Sequence, residues 1–403
     1  MDSAERVPLF INRFSLSPRT AIGVQTMRLM HPHQDWLHFH WWSSSLEQLD
    51  PRSVLFENQV LSRYSFLHNP NLMRVCEWLG ISSWSGGDLR PLHAKRVAKE
   101  FRERVSSTYV APLNESDAIR CLLLTRLVGA PFVLHLWDVL HGDLATGALR
   151  ELVDQAQAVF CVSQPLLDDV SRMRPDAELL SFSRDAALVT AKPRERGPLR
   201  IVMHGNVSSY AEGLDDLDAA IALLETRGLK LEVSFVGSPK ILRQADTTIR
   251  NRVTVRGFLS TQQELDNELS RAHVAFLPGP TLDPGQDLRS RYSIPSRILD
   301  YMALKLPIVG AVHPASATGR FSRQLGLVPA AICSGPQEIA DWLVRLARPR
   351  DWAEQSARSA HAFDLLQRQE SPAQKLKRAL DQVSNGSLTA VSPPPDIFPC
   401  ARC

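Results

Sequence analysis

Short apolar runs, each closed by glycine, proline or a polar turn, recur along the chain between longer stretches whose apolar positions fall three or four residues apart. In the first half VPLFINRF, DWLHFHWW, STYVAP, PFVLHLW and AVFCVS have the length and the aliphatic and aromatic content of strands, while residues 117–127 and 148–156 carry helical spacing. The second half repeats the pattern. LRIVMHG, LEVSFVG, RVTVRGF, HVAFLPG and LPIVGAV read as strands, and residues 214–227, 262–270, 296–304 and 336–347 read as helices.

Alternation of this kind builds parallel sheets covered by helices, so the chain is expected to be α/β, with two Rossmann-like domains whose parallel sheets face a central cleft. The stretch 181–200 is rich in charge and holds two prolines, which suits a connection between domains. The expected division is an amino-terminal domain over 1–185, a linker over 186–199 and a carboxyl-terminal domain over 200–365. A terminal helix over 366–385, with a Ser cap and a first-turn Pro in SPAQKLKRALDQV, and a disordered tail over 386–403 complete it. In sheets of this kind ligands bind beyond the carboxyl ends of the strands, so chemistry is sought in the loops that follow them.

Composition narrows the class. With 403 residues, 44% apolar and 22% charged, the chain can bury more than one core, and a net charge of +3 is too small for a nucleic-acid polycation. The cations are 8 Lys and 38 Arg, and guanidinium groups suit bidentate phosphate binding. Six cysteines without small-domain spacing point to a reducing cytoplasm. Residues 1–14 lack the basic region and apolar run of a secretory leader, and the most apolar long stretch, 121–140, is interrupted by Arg126, His135 and Asp138, so no membrane span is expected.

Motifs of dinucleotide oxidoreductases, P-loop enzymes, zincins and α/β-hydrolases are absent. Asp216 and Asp218 have the spacing of a divalent-metal pair, but they open an apolar-periodic helix, where acidic residues are explained by the helix dipole. Cys400 and Cys403 supply two ligands where a metal site needs more, and the same holds for His38 and His40 on one face of a strand. No metal and no cofactor are expected. Six of the eight Trp fall within residues 1–140, where core packing explains them as well as sugar stacking does.

LRSRYSIPSRILDYMALKLPIVG, residues 288–310, carries the most information. It leaves a strand, crosses an arginine-bearing loop, enters a helix with Ser293 or Ser296 as cap and Pro295 in the first turn, and returns to a strand. Open amides at such a helix start attract an anion, and Arg289, Arg291 and Arg297 add charge around it. Asp300 shares a helix face with Ser296 and Arg297, so it either accepts hydrogen bonds from vicinal sugar hydroxyls or pairs with Arg297 on the surface.

Residues 295–309, PSRILDYMALKLPIV, resemble the P-[ST]-K-x-x-E-Y-M-A-x-G-x-P-[IV]-[IV] pattern of the retaining glycosyltransferases called glycosyl transferases group 1. Arg297 stands for Lys, Asp300 for the Glu that binds the nucleotide ribose, and Lys305 for a common Gly. Tyr292 occupies the place, eight residues earlier, of another Glu. His204-Gly205-Asn206 and Gly213-Leu214-Asp215 are similar to the family's G-N and G-L-D elements, with Asn206 in place of a phosphate-binding Arg and Glu212 in place of Lys. LEVSFVGSP and RVTVRGFLS resemble two further strands, the second near the nucleotide base. The first half is similar in APFVLHLWD, residues 130–138, and in AVFCVS, residues 158–163.

The resemblance implies a GT-B fold and a metal-independent hexosyl transfer, with retention, from a nucleotide diphosphate sugar to a saccharide, lipid-linked or small-molecule acceptor. Gly205, Asn206, Gly257, Phe258, Arg289, Arg291, Ser296, Arg297 and Asp300 are then the donor-binding residues. Asp138 or His141 faces the transferred sugar, unless Asp138 only caps the turn after its strand. Acceptors of this family include growing polysaccharides, and lipid-linked ones would bring the protein to the inner face of the membrane. A nucleotide-sugar epimerase or hydrolase on the same scaffold, and a noncatalytic sugar-nucleotide-binding relative, are the alternatives. Asn206, Glu212 and Tyr292 favour the last.

Overall fold

The computed structural model describes residues 6–14, 21–30, 37–42, 59–61, 99, 101–137, 144, 147–245 and 247–386; the expected tail past residue 386, with Cys400 and Cys403, lies outside them, as do the side chains of His38 and His40. The first sheet contains β1 (Val7–Phe14), β2 (Leu37–Trp42), β3 (Gln59–Leu61), β4 (Val105–Val110), β5 (Phe132–Leu136), β6 (Ala158–Cys161) and β7 (Glu178–Leu179). Its order is β3-β2-β1-β4-β5-β6-β7, with every neighbouring pair parallel. The second contains β8 (Leu199–His204), β9 (Leu231–Val236), β10 (Val253–Gly257), β11 (Val274–Pro278) and β12 (Ile308–Ala311), in the order β10-β9-β8-β11-β12, also parallel.

The described helices are α1 (Ala21–Met30), α2 (Glu115–Val128), α3 (Gly147–Gln155), α4 (Gln164–Val170), α5 (Ala211–Thr226), α6 (Pro239–Gln244) and α7 (Gln262–Leu269). They continue with α8 (Leu288–Tyr292), α9 (Arg297–Ala303), α10 (Ala317–Gln324), α11 (Pro336–Leu346), α12 (Pro349–Gln367) and α13 (Pro372–Ser384).

Parallel strands are covered on both faces, which is why β5 and β11 are buried at every position. On one side of the second sheet Leu214, Leu217, Ile221 and Leu224 of α5 pack with Ile339 and Leu343 of α11. On the other, Ile298, Tyr301 and Met302 of α9 pack with Trp352 and Phe363 of α12. Helix α12 has no counterpart among the elements expected from sequence. Its buried face includes Gln355 and Ser359 beside Trp352, Ala362 and Phe363, and Ser359 Oγ donates to Leu306 O at 2.7 Å, so polar residues interrupt the apolar stripe.

After α12 the chain crosses back. Leu376, Leu380 and Val383 of α13 join Phe10, Tyr109, Val133, Trp137 and Phe160 in one cluster, so the last helix closes the outer face of the first sheet. Strand order reverses between β1 and β4 in the first sheet and between β8 and β11 in the second. Those two crevices are where open parallel sheets take ligands.

Candidate functional site

β8 ends at His204 and turns at Gly205, whose φ of 79° is a left-handed conformation that glycine adopts without steric cost. Asn206 then folds its side chain into the loop, with Oδ1 accepting from Ser208 N at 3.1 Å and Ser208 Oγ at 2.7 Å. Its carbonyl faces the other way and accepts from Arg297 Nη2 at 2.5 Å. Arg289 Nη1 donates to Ser209 O of the same loop at 3.1 Å. Two arginines from the 288–310 segment therefore hold the loop that follows the strand at the switch point.

Arg297 is 8% exposed, and its guanidinium lies 5.3 Å from the Tyr210 ring centroid. Among the described residues its Nη1 has no hydrogen-bond partner and its charge no carboxylate. A buried guanidinium left open in this way suits an anionic ligand. Ser296 holds the N-cap position of α9 without a side-chain cap bond. The amides of Ile298 and Leu299 are already bonded to Pro295 O and Ser296 O at 3.1 Å each, so the guanidinium, more than those amides, is what the site leaves open to an anion.

The third arginine is placed elsewhere. Arg291 Nη2 reaches Asp169 Oδ2 on α4 of the first domain at 2.6 Å, and Tyr292 Oη donates to the same oxygen at 2.8 Å. Burial, then that carboxylate, push the Tyr292 phenol up to about 12, so it remains a donor.

Asp300 is buried, and its partners differ from the surface pairing with Arg297. Oδ1 lies 2.9 Å from Arg28 Nη2 on α1 and 2.9 Å from Arg184 Nε on the connecting segment, and Oδ2 lies 3.4 Å from His204 Nε2. Arg184 also pairs with buried Asp266 and donates to Asp300 O at 3.2 Å. Burial alone would raise the Asp300 carboxyl, but His204, Arg28 and Arg184 outweigh it and hold the group well below the usual carboxylate range.

Gly257, with φ 77°, ends edge strand β10, two strands from β8, and Phe258 beside it is 46% exposed. Asp138 and His141 lie outside the described residues. Just before them, Trp137 Nε1 and Tyr109 Oη both approach His135 Nδ1 at 2.7 Å, while His135 Nε2 faces Leu180 O at 3.0 Å. The fit is to a neutral imidazole with its proton on Nε2, and burial lowers His135 to about 3. Asp218 pairs with Arg252 at 2.8 Å, and Glu212 accepts from Thr281 Oγ1. Among the described residues no group of three or more His, Cys, Asp and Glu is arranged to hold a metal ion.

Arg28, Arg184, Asp169, Asp266 and Tyr210 carry no local sequence signal that places them at this site. Each comes from an element far along the chain from its partner, and Arg184 sits in a charged segment that reads as solvated.

Two parallel-sheet α/β domains with these switch points define the GT-B architecture, and comparisons with solved structures agree over nearly the whole chain. HepE of Anabaena, in complex with UDP and glucose, superposes with a TM-score of 0.64 at 14% identity, covering 94% of this chain and 100% of that one. Sucrose-phosphate synthase of Thermosynechococcus elongatus gives 0.58 at 12% identity, covering 94% and 100%. The lipopolysaccharide outer core galactosyltransferase WaaB, in its apo form, gives 0.55 at 12% identity, covering 94% and 99%. Residues 198–348, which contain every residue expected to bind the donor, match the family model for glycosyl transferases group 1, and that match supports a glycosyltransferase. No curated protein matches by sequence. No described helix is long and apolar enough to cross a membrane.

Proposed function

We propose that the protein transfers a sugar, with retention and without a bound metal, from a nucleotide diphosphate sugar to a saccharide, lipid-linked or small-molecule acceptor. The observation that carries this reading is Arg297: a buried guanidinium with an open Nη1, fixed to the loop after β8 inside the segment that matches the family. A diphosphate leaving group gains negative charge as the glycosidic bond breaks, and a fixed, desolvated guanidinium stabilises that charge as it grows. Asp300 receives the ribose hydroxyls, and the donor's own phosphate assists removal of the acceptor proton. HepE, whose structures hold UDP with glucose and UDP-glucose, makes uridine nucleotides the first donors to try.

The test is turnover of a panel of nucleotide sugars, with and without saccharide acceptors, scored as transfer, hydrolysis or neither. Arg297→Met should raise the dissociation constant for the nucleoside diphosphate about tenfold or more while leaving that of the bare nucleoside nearly unchanged. Equal effects on both ligands would remove the phosphate role. Tyr292, which stands in the place of the resembled family's further Glu and is tied to Asp169, favours a second reading, a noncatalytic nucleotide-sugar binder; binding without any turnover would select it.

A further inference from the structure

Asp300 is enclosed by groups that belong to different parts of the fold. His204 ends β8, Gln262 opens α7, and Arg184 is anchored to the second domain through Asp266 and Asp300 O, so all three are fixed to the second sheet and its helices. Among the described residues that touch Asp300, Arg28 is the one carried by an element packed on the first sheet, since Arg184, expected at the end of the amino-terminal domain, is held by the second. Arg28 lies in the last turn of α1, whose Leu29 and Met30 are buried in the cluster closed by α13. From there its Nη2 donates to Asp300 Oδ1 at 2.9 Å and to Gln262 Oε1 at 2.7 Å. The side chain of Asp300 is left only 7% exposed.

We infer that Arg28 is an autoinhibitory latch that competes with the donor's nucleotide for Asp300. The inference rests on the reading in which Asp300 receives the ribose. A carboxylate has about four acceptor positions. Among the described residues Oδ1 serves Arg28, Arg184 and, at 3.5 Å, Gln262 Nε2, and Oδ2 faces His204, so hydroxyl donors gain room when one cation leaves. Arg28 is the one free to go. Its departure leaves Asp300 paired with Arg184, so no buried charge is orphaned, and Arg28 itself returns to water as the domains separate. Its Nη1, buried and without a hydrogen-bond partner among the described residues, regains solvent in the same step. A site closed for most of the time binds with an affinity reduced by the open fraction.

Calorimetry on the full chain, with UDP, GDP and ADP as probes, tests the latch. Arg28→Met should tighten binding of the nucleotide threefold to tenfold, and the same change in an Asp300→Ala background should have no effect. If Arg28→Met does not fold, Arg28→Gln takes its place. Unchanged or weaker binding, tightening that persists without Asp300, or no binding of any probe to any variant overturns the latch. Arg297→Met separates the two readings: weaker binding there, with no gain in Arg28→Met, leaves the donor site standing and removes the latch alone.

Discussion

Lys305 shows what a family pattern means physically. It follows α9, where Lys305 N bonds Met302 O at 2.9 Å and Leu306 N bonds Tyr301 O at 3.0 Å, the two bonds of a Schellman ending. That ending needs a left-handed residue, and Lys305 has φ 57°. Its side chain is exposed, so Lys305→Gly removes the Cβ strain at no packing cost. The expected gain is about 0.5–1 kcal/mol after the entropy of glycine in the unfolded chain is subtracted, and a raised urea midpoint would show it. Asp300 and His135 set the response to acid. A carboxyl held below its unfolded value stabilises the fold above about pH 4 and loses that contribution as pH falls further, because the unfolded chain takes the proton first. His135, lowered to about 3, acts over a higher window: stability declines as pH drops from about 6.5 toward 3. Lowering pH from 5 to 3 should therefore cost wild type more stability than Asp300→Asn. The imidazole resonance of His135 should still be neutral at pH 5.

At the scale of elements, α13 has an assignment that no local signal carries. Ser371 accepts from Gln374 N and Pro372 opens the helix, so its start is visible in sequence. Its destination is not: Leu376 and Leu380 are fully buried against the first sheet, far along the chain from Phe10 and Tyr109. Leu380→Ala should destabilise the protein by about 2–5 kcal/mol, and the loss should appear as a lowered urea midpoint followed by circular dichroism. Ten of the twelve described strands were legible because a two-sided parallel sheet demands continuous apolar runs, whereas the short edge strands β3 and β7 carry no such run. Helix α12 was not legible, since Gln355 and Ser359 lie on its buried side, and Ser359 finds its partner, Leu306 O, only in the fold.

At the scale of the molecule, the contacts between the two domains include polar and charged pairs, Arg28 on Asp300 and Gln262 and Asp169 on Arg291 and Tyr292, beside the packing of Tyr292 into the apolar core of the first domain. Transfer without a metal predicts that turnover survives EDTA; loss of activity restored by Mg²⁺ or Mn²⁺ would return Asp216 and Asp218 to consideration.

The sequence by itself determined the alternation of strands and helices, the position of the turn at Gly205, and the motif that brings Arg297 and Asp300 onto one helix. These follow from local periods and backbone sterics, which a single chain displays in order. Tertiary structure alone decided what those residues face. Arg297 turns to the Asn206 carbonyl and keeps one nitrogen open among the described residues, Arg291 leaves for Asp169, and Asp300 is shared by Arg28, Arg184 and His204. Their partners lie as much as 272 positions apart in sequence, and a buried charge takes whichever opposite charge the packed sheets bring to it, which no local pattern encodes.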